Sequence, residues 1–349
     1  MPASDPLITL LDGHIGVAEA AGSPFYAALL AEMRDDAAAD GPVRVALHGH
    51  EHDRIDEWDA FRILAGIHRM VLDGDADELR THFPSTGGDG DAAAAWPMIR
   101  ALIASGRAEL VEALAHPLQT NAPSRSKALV GGLCLVAERT GLPLRLLELG
   151  ASAGLNLRLD HFRYEQDGDA FGPPDSPVRF VDFLTGGRPP LASGFTVAER
   201  AGCDLNPIDA TTDEGRLTLL ACVFPDEFER YGLLEEAIEV ARGTPAVVQR
   251  ADLAEWIAAR LAEPRPGVAT VVVHTIVWPY LPDGVRESAD ATIAAAGERA
   301  TAEAPLALLT FEGSEAKPAV IQTQLTQWPG GRRELLAESA HHPTTVRWL

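Results

Sequence analysis

The stretch LRLLELGASAGLNL, residues 144–157, constrains the fold more than any other part of the sequence. A mostly apolar run ends at Leu149, and a turn of small residues, Gly150 to Gly154, follows it. A short apolar run bounded by such a turn is typical of a strand buried within a sheet. Small residues let the backbone of a turn approach a ligand closely, and a following helix would offer free amide groups. The stretch therefore predicts a buried strand whose turn can hold a ligand.

Similar apolar runs recur along the rest of the chain, with helical patterns between them. Near-continuous apolar strands separated by helices are typical of a parallel sheet covered on both faces. The C-terminal part predicts an antiparallel hairpin that turns at Pro329-Gly330-Gly331. We therefore expect an α/β fold with a doubly wound, Rossmann-like, mostly parallel sheet. The predicted strands are 144–149, 196–204, 246–252, 268–277 and 305–312, and the helices between them are 212–223, 229–242, 252–262 and 284–300.

The first third of the sequence has helical spacing and no convincing strand alternation. We expect an all-helical N-terminal domain at about 1–125 and an α/β domain at 126–349, which opens with a serine-capped helix over 124–141. Residues 162–195 are rich in glycine, proline and aspartate and are interpreted as an insertion. The helical patterns of the N-terminal domain are 23–40, 57–74, 92–106 and 107–116.

Charge and composition narrow the classes of function. The 349 residues carry a net charge of −22, which disfavours a nucleic-acid partner. No apolar run approaches the ~20 residues of a membrane span, and the N-terminus lacks the features of a secretory signal. Three scattered cysteines argue against a disulfide framework or a zinc ribbon. We expect a cytoplasmic protein with a small-molecule substrate; the oligomeric state stays open.

The glycine turn excludes two common nucleotide motifs. A dinucleotide fingerprint needs glycines at 150, 152 and 155, where the chain has Gly150, Ser152 and Leu155. A phosphate loop that ends in Gly-Lys-Ser/Thr is absent from the sequence. What remains is an acid, Glu148, followed by Gly150, a small residue and Gly154. This pattern resembles the first motif of class I S-adenosylmethionine-dependent methyltransferases, with Ser152 in place of the middle glycine.

The resemblance implies a cofactor site at the carboxyl ends of the first three strands. Asp204, which ends the second strand, would accept hydrogen bonds from the ribose hydroxyls, and Asp252, which ends the third, would lie near the adenine amino group. Asp204 is equally compatible with a turn, and Asp252 with the N-cap of the next helix, and cap and ligand roles can coexist. The cofactor-binding residues implied are Glu148, Gly150, Ser152, Gly154, Asn156, Asp204 and Asp252.

Longer segments extend the resemblance over most of the chain. QTNAPSRSKAL, ELGASAGLNL, RAGCDLNPIDATTDEGRLTLLACVFPDEFER and VVVHTIVWPYL together resemble an uncharacterised bacterial family with a class I methyltransferase-like core. That likeness implies a fold and a cofactor, S-adenosylmethionine, but no established reaction. We expect a methyltransferase that acts on a small molecule. Two alternatives stay open: a non-catalytic protein that binds an adenosyl ligand or serves as a scaffold, and an enzyme that uses another nucleotide.

The catalytic residues expected are His274, near the end of the fourth strand, and Tyr280, which follows that strand. Imidazole side chains titrate near neutral pH and can take a proton from a hydroxyl group or an amine. Trp278 and Tyr280 can form the wall of a substrate pocket. The competing interpretation is that His274 is a core histidine and that both aromatic residues only pack.

The alternating histidines His48, His50 and His52 form the other conspicuous pattern. In an extended segment they would point the same way, but a metal site also needs convergent ligands and a supporting shell. Because no cysteines accompany them, a solvated loop is the favoured interpretation, and we predict no metal-binding residues.

Overall fold

The structure is a computed structural model that describes residues 5–49, 58–115, 117–314 and 316–349, without the side chains of residues 318 and 319. It divides into two compact units. The first comprises Met1–Thr120 and Thr212–Glu235, and the second comprises Asn121–Thr211 and Glu236–Leu349. The N-terminal division thus falls five residues before the expected boundary at 125, and the first unit also includes a segment from between two strands of the second.

The first unit is helical, and within its described residues it contains no strand. Proline stands at the first position of several of its helices, where the missing N–H group costs no hydrogen bond. Its core is apolar and includes the stacked rings of Phe61 and Phe224. The helices of the chain are α1 (Pro6–Ala21), α2 (Pro24–Ala38), α3 (Pro42–Ala46), α4 (Asp59–Asp73), α5 (Ala92–Ala104), α6 (Ala108–Ala115), α7 (Ser126–Thr140), α8 (Asp213–Ala221), α9 (Phe228–Gly243), α10 (Leu253–Arg260) and α11 (Asp283–Gly297).

The second unit is built on a mostly parallel sheet, so the predicted α/β class is confirmed. Among the described residues this sheet has nine strands in the order β5-β12-β11-β10-β9-β8-β1-β6-β7, and a small sheet has the order β3-β2-β4. The strands are β1 (Leu144–Leu149), β2 (Arg163–Gln166), β3 (Asp169–Phe171), β4 (Arg179–Val181), β5 (Leu184–Gly186), β6 (Val197–Asp204), β7 (Val247–Arg250), β8 (Ala269–Thr275), β9 (Leu306–Ser314), β10 (Lys317–Trp328), β11 (Arg332–Ser339) and β12 (Val346–Trp348). The predicted C-terminal hairpin is confirmed as β10 and β11, which pair antiparallel.

Five neighbouring strands, β7-β6-β1-β8-β9, pair in parallel throughout. Numbered by their own order along the chain, they lie in the sequence 3-2-1-4-5. The strand order therefore reverses beside β1, which pairs with β6 on one side and with β8 on the other. In open sheets of this kind, ligands bind beyond the carboxyl ends of the strands at such a reversal.

The insertion at 162–195 contains strands that sequence analysis missed. It supplies β2, β3 and β4, and also β5, which pairs in parallel with β12 at the edge of the main sheet. These strands are only three or four residues long, and glycine or proline residues stand between β2 and β3 and between β3 and β4, so no apolar run marks them.

Two local predictions about helices are wrong. The helix expected after the glycine turn is a short 3-10 helix, Asn156–His161, because Phe162 is already extended and leads into β2. The serine cap expected for α7 does not form. A 3-10 helix, Pro123–Arg125, precedes α7, and Arg125 stands at the cap position without a side-chain capping bond. Ser126, the first residue of α7, donates a hydrogen bond from Oγ to the Pro123 carbonyl group.

Candidate functional site

The glycine turn after β1 has a left-handed backbone at three positions. The φ angles are +65° at Gly150, +51° at Ser152 and +67° at Gly154. A β-carbon on Gly150 would lie 2.5 Å from Cγ2 of Val277, and one on Gly154 would lie 2.8 Å from Cγ2 of Val248. Both glycines are therefore required by backbone angle and by packing. Ser152 adopts the same backbone region with a side chain, at a cost of about 1–3 kcal/mol that the surroundings must offset.

Asp204, at the end of β6, fixes that turn. Its Oδ2 accepts a hydrogen bond from the N–H group of Ser152 at 2.8 Å, and its Oδ1 accepts one from the N–H group of Asn206, also at 2.8 Å. The structure thus brings Asp204 to the glycine turn and gives it the turn-forming role that was the alternative interpretation. Its contact with a ribose stays a prediction.

Two further polar side chains hold the turn, and sequence analysis did not select either. Asn121 Oδ1 accepts a hydrogen bond from the N–H group of Leu155 at 2.8 Å. Arg158, which is buried, donates to the carbonyl groups of Gly154 at 2.8 Å and Ala153 at 3.2 Å. Arg158 carried a signal, since an arginine within the apolar run LNLRLDHF needs buried acceptors. The turn is thus held by polar contacts from several segments of the second unit.

Glu148 lies just before the turn and is only 2% exposed. Burial raises the pKa of its carboxyl group to about 8, which the nearby charges of Arg125 and Arg158 partly oppose and that of Asp204 reinforces. Its Oε2 is buried and accepts no hydrogen bond from any described residue. A carboxyl group in such surroundings can exchange a proton for a cationic partner close to neutral pH.

Asn156 lies just after the turn and is equally buried, with 2% of its surface exposed. Neither its Oδ1 nor its Nδ2 has a hydrogen-bond partner within the described part of the chain. Buried polar groups are almost always paired, and leaving one unpaired costs about 1–3 kcal/mol. Glu148 and Asn156, at the two ends of one turn, therefore both have buried polar atoms without a hydrogen-bond partner among the described residues.

Asp252 takes the helix-capping role that was considered for it. Its Oδ1 accepts hydrogen bonds from the N–H groups of Ala254 at 2.9 Å and Glu255 at 3.1 Å, at the start of α10. The contact with adenine implied by the resemblance stays a prediction.

His274 lies on β8 and is 3% exposed. Its Nδ1 is 2.7 Å from Oε1 of Glu312, and its ring stacks on Trp278 with the centroids 3.6 Å apart and the planes within 9°. His274 pairs in register with Leu149, so the two side chains lie on one face of the sheet and Glu148 lies on the other. Tyr280 is 54% exposed, and its hydroxyl group makes no hydrogen bond with a described residue.

The turn after β8 is also held in an uncommon conformation. Ile276, a β-branched residue, has a φ of +52°, and its N–H group donates to the Phe311 carbonyl group at 2.9 Å. The N–H group of the next residue, Val277, donates to Oε1 of Glu312 at 3.1 Å. Non-glycine residues in this region cluster at functional sites. Ser152 and Ile276 thus give the ends of β1 and β8, which are adjacent strands, the same kind of strain.

The remaining predictions concern metals and membranes. His50 and His52 lie outside the described residues, and His48 lies within them. In the described ranges, no three side chains of histidine, cysteine, aspartate or glutamate are grouped as metal ligands. None of the helices that the structure describes has the length and apolar character needed to cross a membrane.

These features define an α/β protein whose candidate site lies at the carboxyl ends of β1 and β8. Residues 14–348 match a family described as uncharacterized protein conserved in bacteria, DUF2332, and the chain belongs to this family. Comparison with curated proteins found no match, and comparison with solved structures found none.

Proposed function

We propose that this chain binds S-adenosylmethionine at the carboxyl ends of β1 and β8 and transfers its methyl group to a small molecule. The observation that supports this most is that Oε2 of Glu148 and both polar atoms of Asn156, at the two ends of the glycine turn, are buried without a hydrogen-bond partner among the described residues. They lie where the parallel strand order reverses, which is the usual ligand position in a sheet of this kind.

The two side chains suit the amino-acid end of the cofactor, which carries an ammonium group and a carboxylate. Glu148 would accept hydrogen bonds from the ammonium group, and Asn156 would donate from Nδ2 to the carboxylate. When bound, the cofactor supplies a methyl group on a positively charged sulfur. Glu148, with a pKa raised to about 8, holds a proton at pH 7 and would release that proton when the ammonium group of the cofactor binds beside it.

The two aspartates complete the proposed binding site. Each carboxylate oxygen can accept more than one hydrogen bond, so the backbone contacts of Asp204 leave capacity for the ribose hydroxyls. Oδ2 of Asp252 takes no part in the cap, whose two bonds both go to Oδ1, and we assign it to the adenine amino group.

His274 is the proposed base, because its Nδ1 is held by Glu312 and the ring is kept in one orientation by Trp278. The three cysteines are free thiols, which suits the cytoplasm as the site of the reaction. A non-catalytic protein that binds the same ligand is the second candidate, favoured by the burial of His274, which leaves 3% of the residue exposed.

Thermal unfolding with added ligands tests the proposal. S-adenosylhomocysteine should raise the melting temperature of the wild type, whereas NAD and ADP should not. Glu148→Gln and Asn156→Ala should reduce the shift, and Glu303→Gln, which removes an exposed carboxylate, should keep it. A shift with NAD or ADP alone would favour a different nucleotide, and no shift with any ligand would contradict the proposal. An assay of methyl transfer distinguishes the two candidates, because only the enzyme transfers the methyl group.

A further inference from the structure

Glu312, on β9, is a carboxyl group that the sequence predictions did not include. Its Oε1 lies 2.7 Å from Nδ1 of His274 and accepts a hydrogen bond from the N–H group of Val277 at 3.1 Å. A backbone N–H group can only donate, so this oxygen acts as an acceptor. With the carboxyl group of Glu312 ionised, the shared proton lies on Nδ1, and the lone pair of the neutral ring lies on Nε2.

The position of the ring is fixed as well as its tautomer. Trp278 covers one face of the imidazole, with centroids 3.6 Å apart. Nε2 makes no hydrogen bond with any residue that the structure describes, so it is the ring atom left to react. A histidine that a carboxylate holds at one nitrogen, and whose other nitrogen makes no hydrogen bond with a described residue, has the arrangement of a general base.

The pair of residues is joined to the glycine turn. Val277, whose N–H group is held by Glu312, has the side chain that packs against Gly150. His274 pairs in register with Leu149, the residue immediately before Gly150. The same carboxylate thus orients the imidazole and anchors the residue that borders the proposed cofactor turn.

We infer that Glu312 is a positioning residue that holds His274 as a base, and that the methyl acceptor is a hydroxyl group or an amine. This inference rests on the proposed function. The acceptor gives its proton to Nε2 of His274 while its electron pair forms a bond to the methyl carbon. The bond from that carbon to sulfur breaks, and its electrons neutralise the positive charge on sulfur. A thiolate acceptor would need no such base.

Nitrogen NMR of the protein labelled with ¹⁵N-histidine tests the arrangement without a substrate. The signals of His274 are assigned by their loss in His274→Gln. In the wild type, neutral His274 should carry its proton on Nδ1, and Glu312→Ala should abolish that fixed tautomer. The matched control is Asp89→Asn, because Asp89 holds His82 by a similar contact at 3.0 Å; it should leave the His274 signals unchanged. A proton on Nε2 of neutral His274 in the wild type would overturn the inference, even if the variant fails to fold.

A transfer assay tests the role itself, using S-adenosylmethionine labelled in its methyl group and a panel of small alcohols, amines and thiols. Glu312→Gln should lower kcat about 10- to 100-fold and change the KM for S-adenosylmethionine less than about twofold, whereas Glu303→Gln should change neither. Unchanged kcat in Glu312→Gln, or transfer to thiols alone, would overturn the inference. If S-adenosylhomocysteine binds but no acceptor is methylated, the base role fails while cofactor binding stands; if it does not bind, the proposed function fails.

Discussion

The side chain of Val277 occupies the space that a β-carbon on Gly150 would need. The closest approach would be 2.5 Å, to Cγ2, and the φ of Gly150 is +65°. Packing and backbone angle therefore explain this glycine before any ligand is considered. A loss of binding in a Gly150 variant must be compared with its loss of stability before it is assigned to the site.

Gly150→Ala is expected to lower the free energy of unfolding by more than about 1 kcal/mol, because alanine is strained at this φ and would collide with Val277. Val277→Ala in the same chain should recover part of that loss, with a coupling energy of about 0.5–3 kcal/mol measured by denaturant unfolding of the four variants. Gly284→Ala is the control, because an added β-carbon there would meet no described residue beyond its own helix within 4 Å. Strict additivity would show that the two residues do not press on each other.

Glu148 gives the stability of the protein a specific pH dependence. Its pKa is raised from 4.5 to about 8 in the folded chain, so the folded state holds a proton that the unfolded state has released. The stabilisation is fully present below pH 4.5 and is lost as the pH rises through about 8, by roughly 1 kcal/mol per unit in between. Relative to the wild type, Glu148→Gln should therefore gain stability as the pH rises from 5 to 8. If the free energies of unfolding of the wild type and Glu148→Gln, measured by denaturant unfolding, change with pH in the same way over this range, the burial assigned to Glu148 is contradicted.

Asp204→Ala should destabilise the protein by about 1–3 kcal/mol, because the N–H groups of Ser152 and Asn206 lose their acceptor. We also expect the affinity for S-adenosylhomocysteine to fall by about 1–3 kcal/mol, which calorimetry measures. The comparison is Asp209→Ala, which removes an exposed turn contact to the N–H group of Thr211 and should affect affinity little. Equal affinity for S-adenosylhomocysteine in the two variants would show that Asp204 stabilises the turn and makes no contact with the ligand.

Substitutions of Asp252 separate the cap from the proposed ligand contact. Asparagine caps helices as well as aspartate, so Asp252→Asn should keep the melting temperature, whereas Asp252→Ala should cost about 1 kcal/mol of stability. If Oδ2 accepts from the adenine amino group, Asp252→Asn should still weaken binding of S-adenosylhomocysteine, by less than Asp204→Ala does. Unchanged affinity in the asparagine variant would leave Asp252 with the cap alone.

The sequence was most informative where a single segment decides the outcome. β1 and β8 were predicted because each is a mostly apolar run, and both are buried along their whole length. The strands of 162–195 were missed because their pairing partners, not their composition, make them strands. β5, for example, is three residues long and exists by pairing with β12, which lies far away in the sequence.

The same limit applies to the candidate site. Glu148 was selected as the acid of the motif that continues with Gly150 and Gly154, whereas Glu312 ends the run LALLTFE and belongs to no such motif. Its importance depends on its contact with His274, which is on a neighbouring strand, and no spacing within the sequence reveals that contact. Asn121 likewise gains its role only through the fold, by accepting from the N–H group of Leu155.

The most direct test of the central claim is a calorimetric titration of the wild-type chain with S-adenosylhomocysteine at pH 7, repeated in two buffers of different ionisation enthalpy. We expect one site with a Kd in the micromolar range, about −8 kcal/mol. The observed heat should also depend on the buffer, because Glu148 gives up a proton as the ligand's ammonium group binds, and this dependence should vanish in Glu148→Gln. Absence of binding heat, with no thermal shift from S-adenosylhomocysteine or S-adenosylmethionine, would contradict the account.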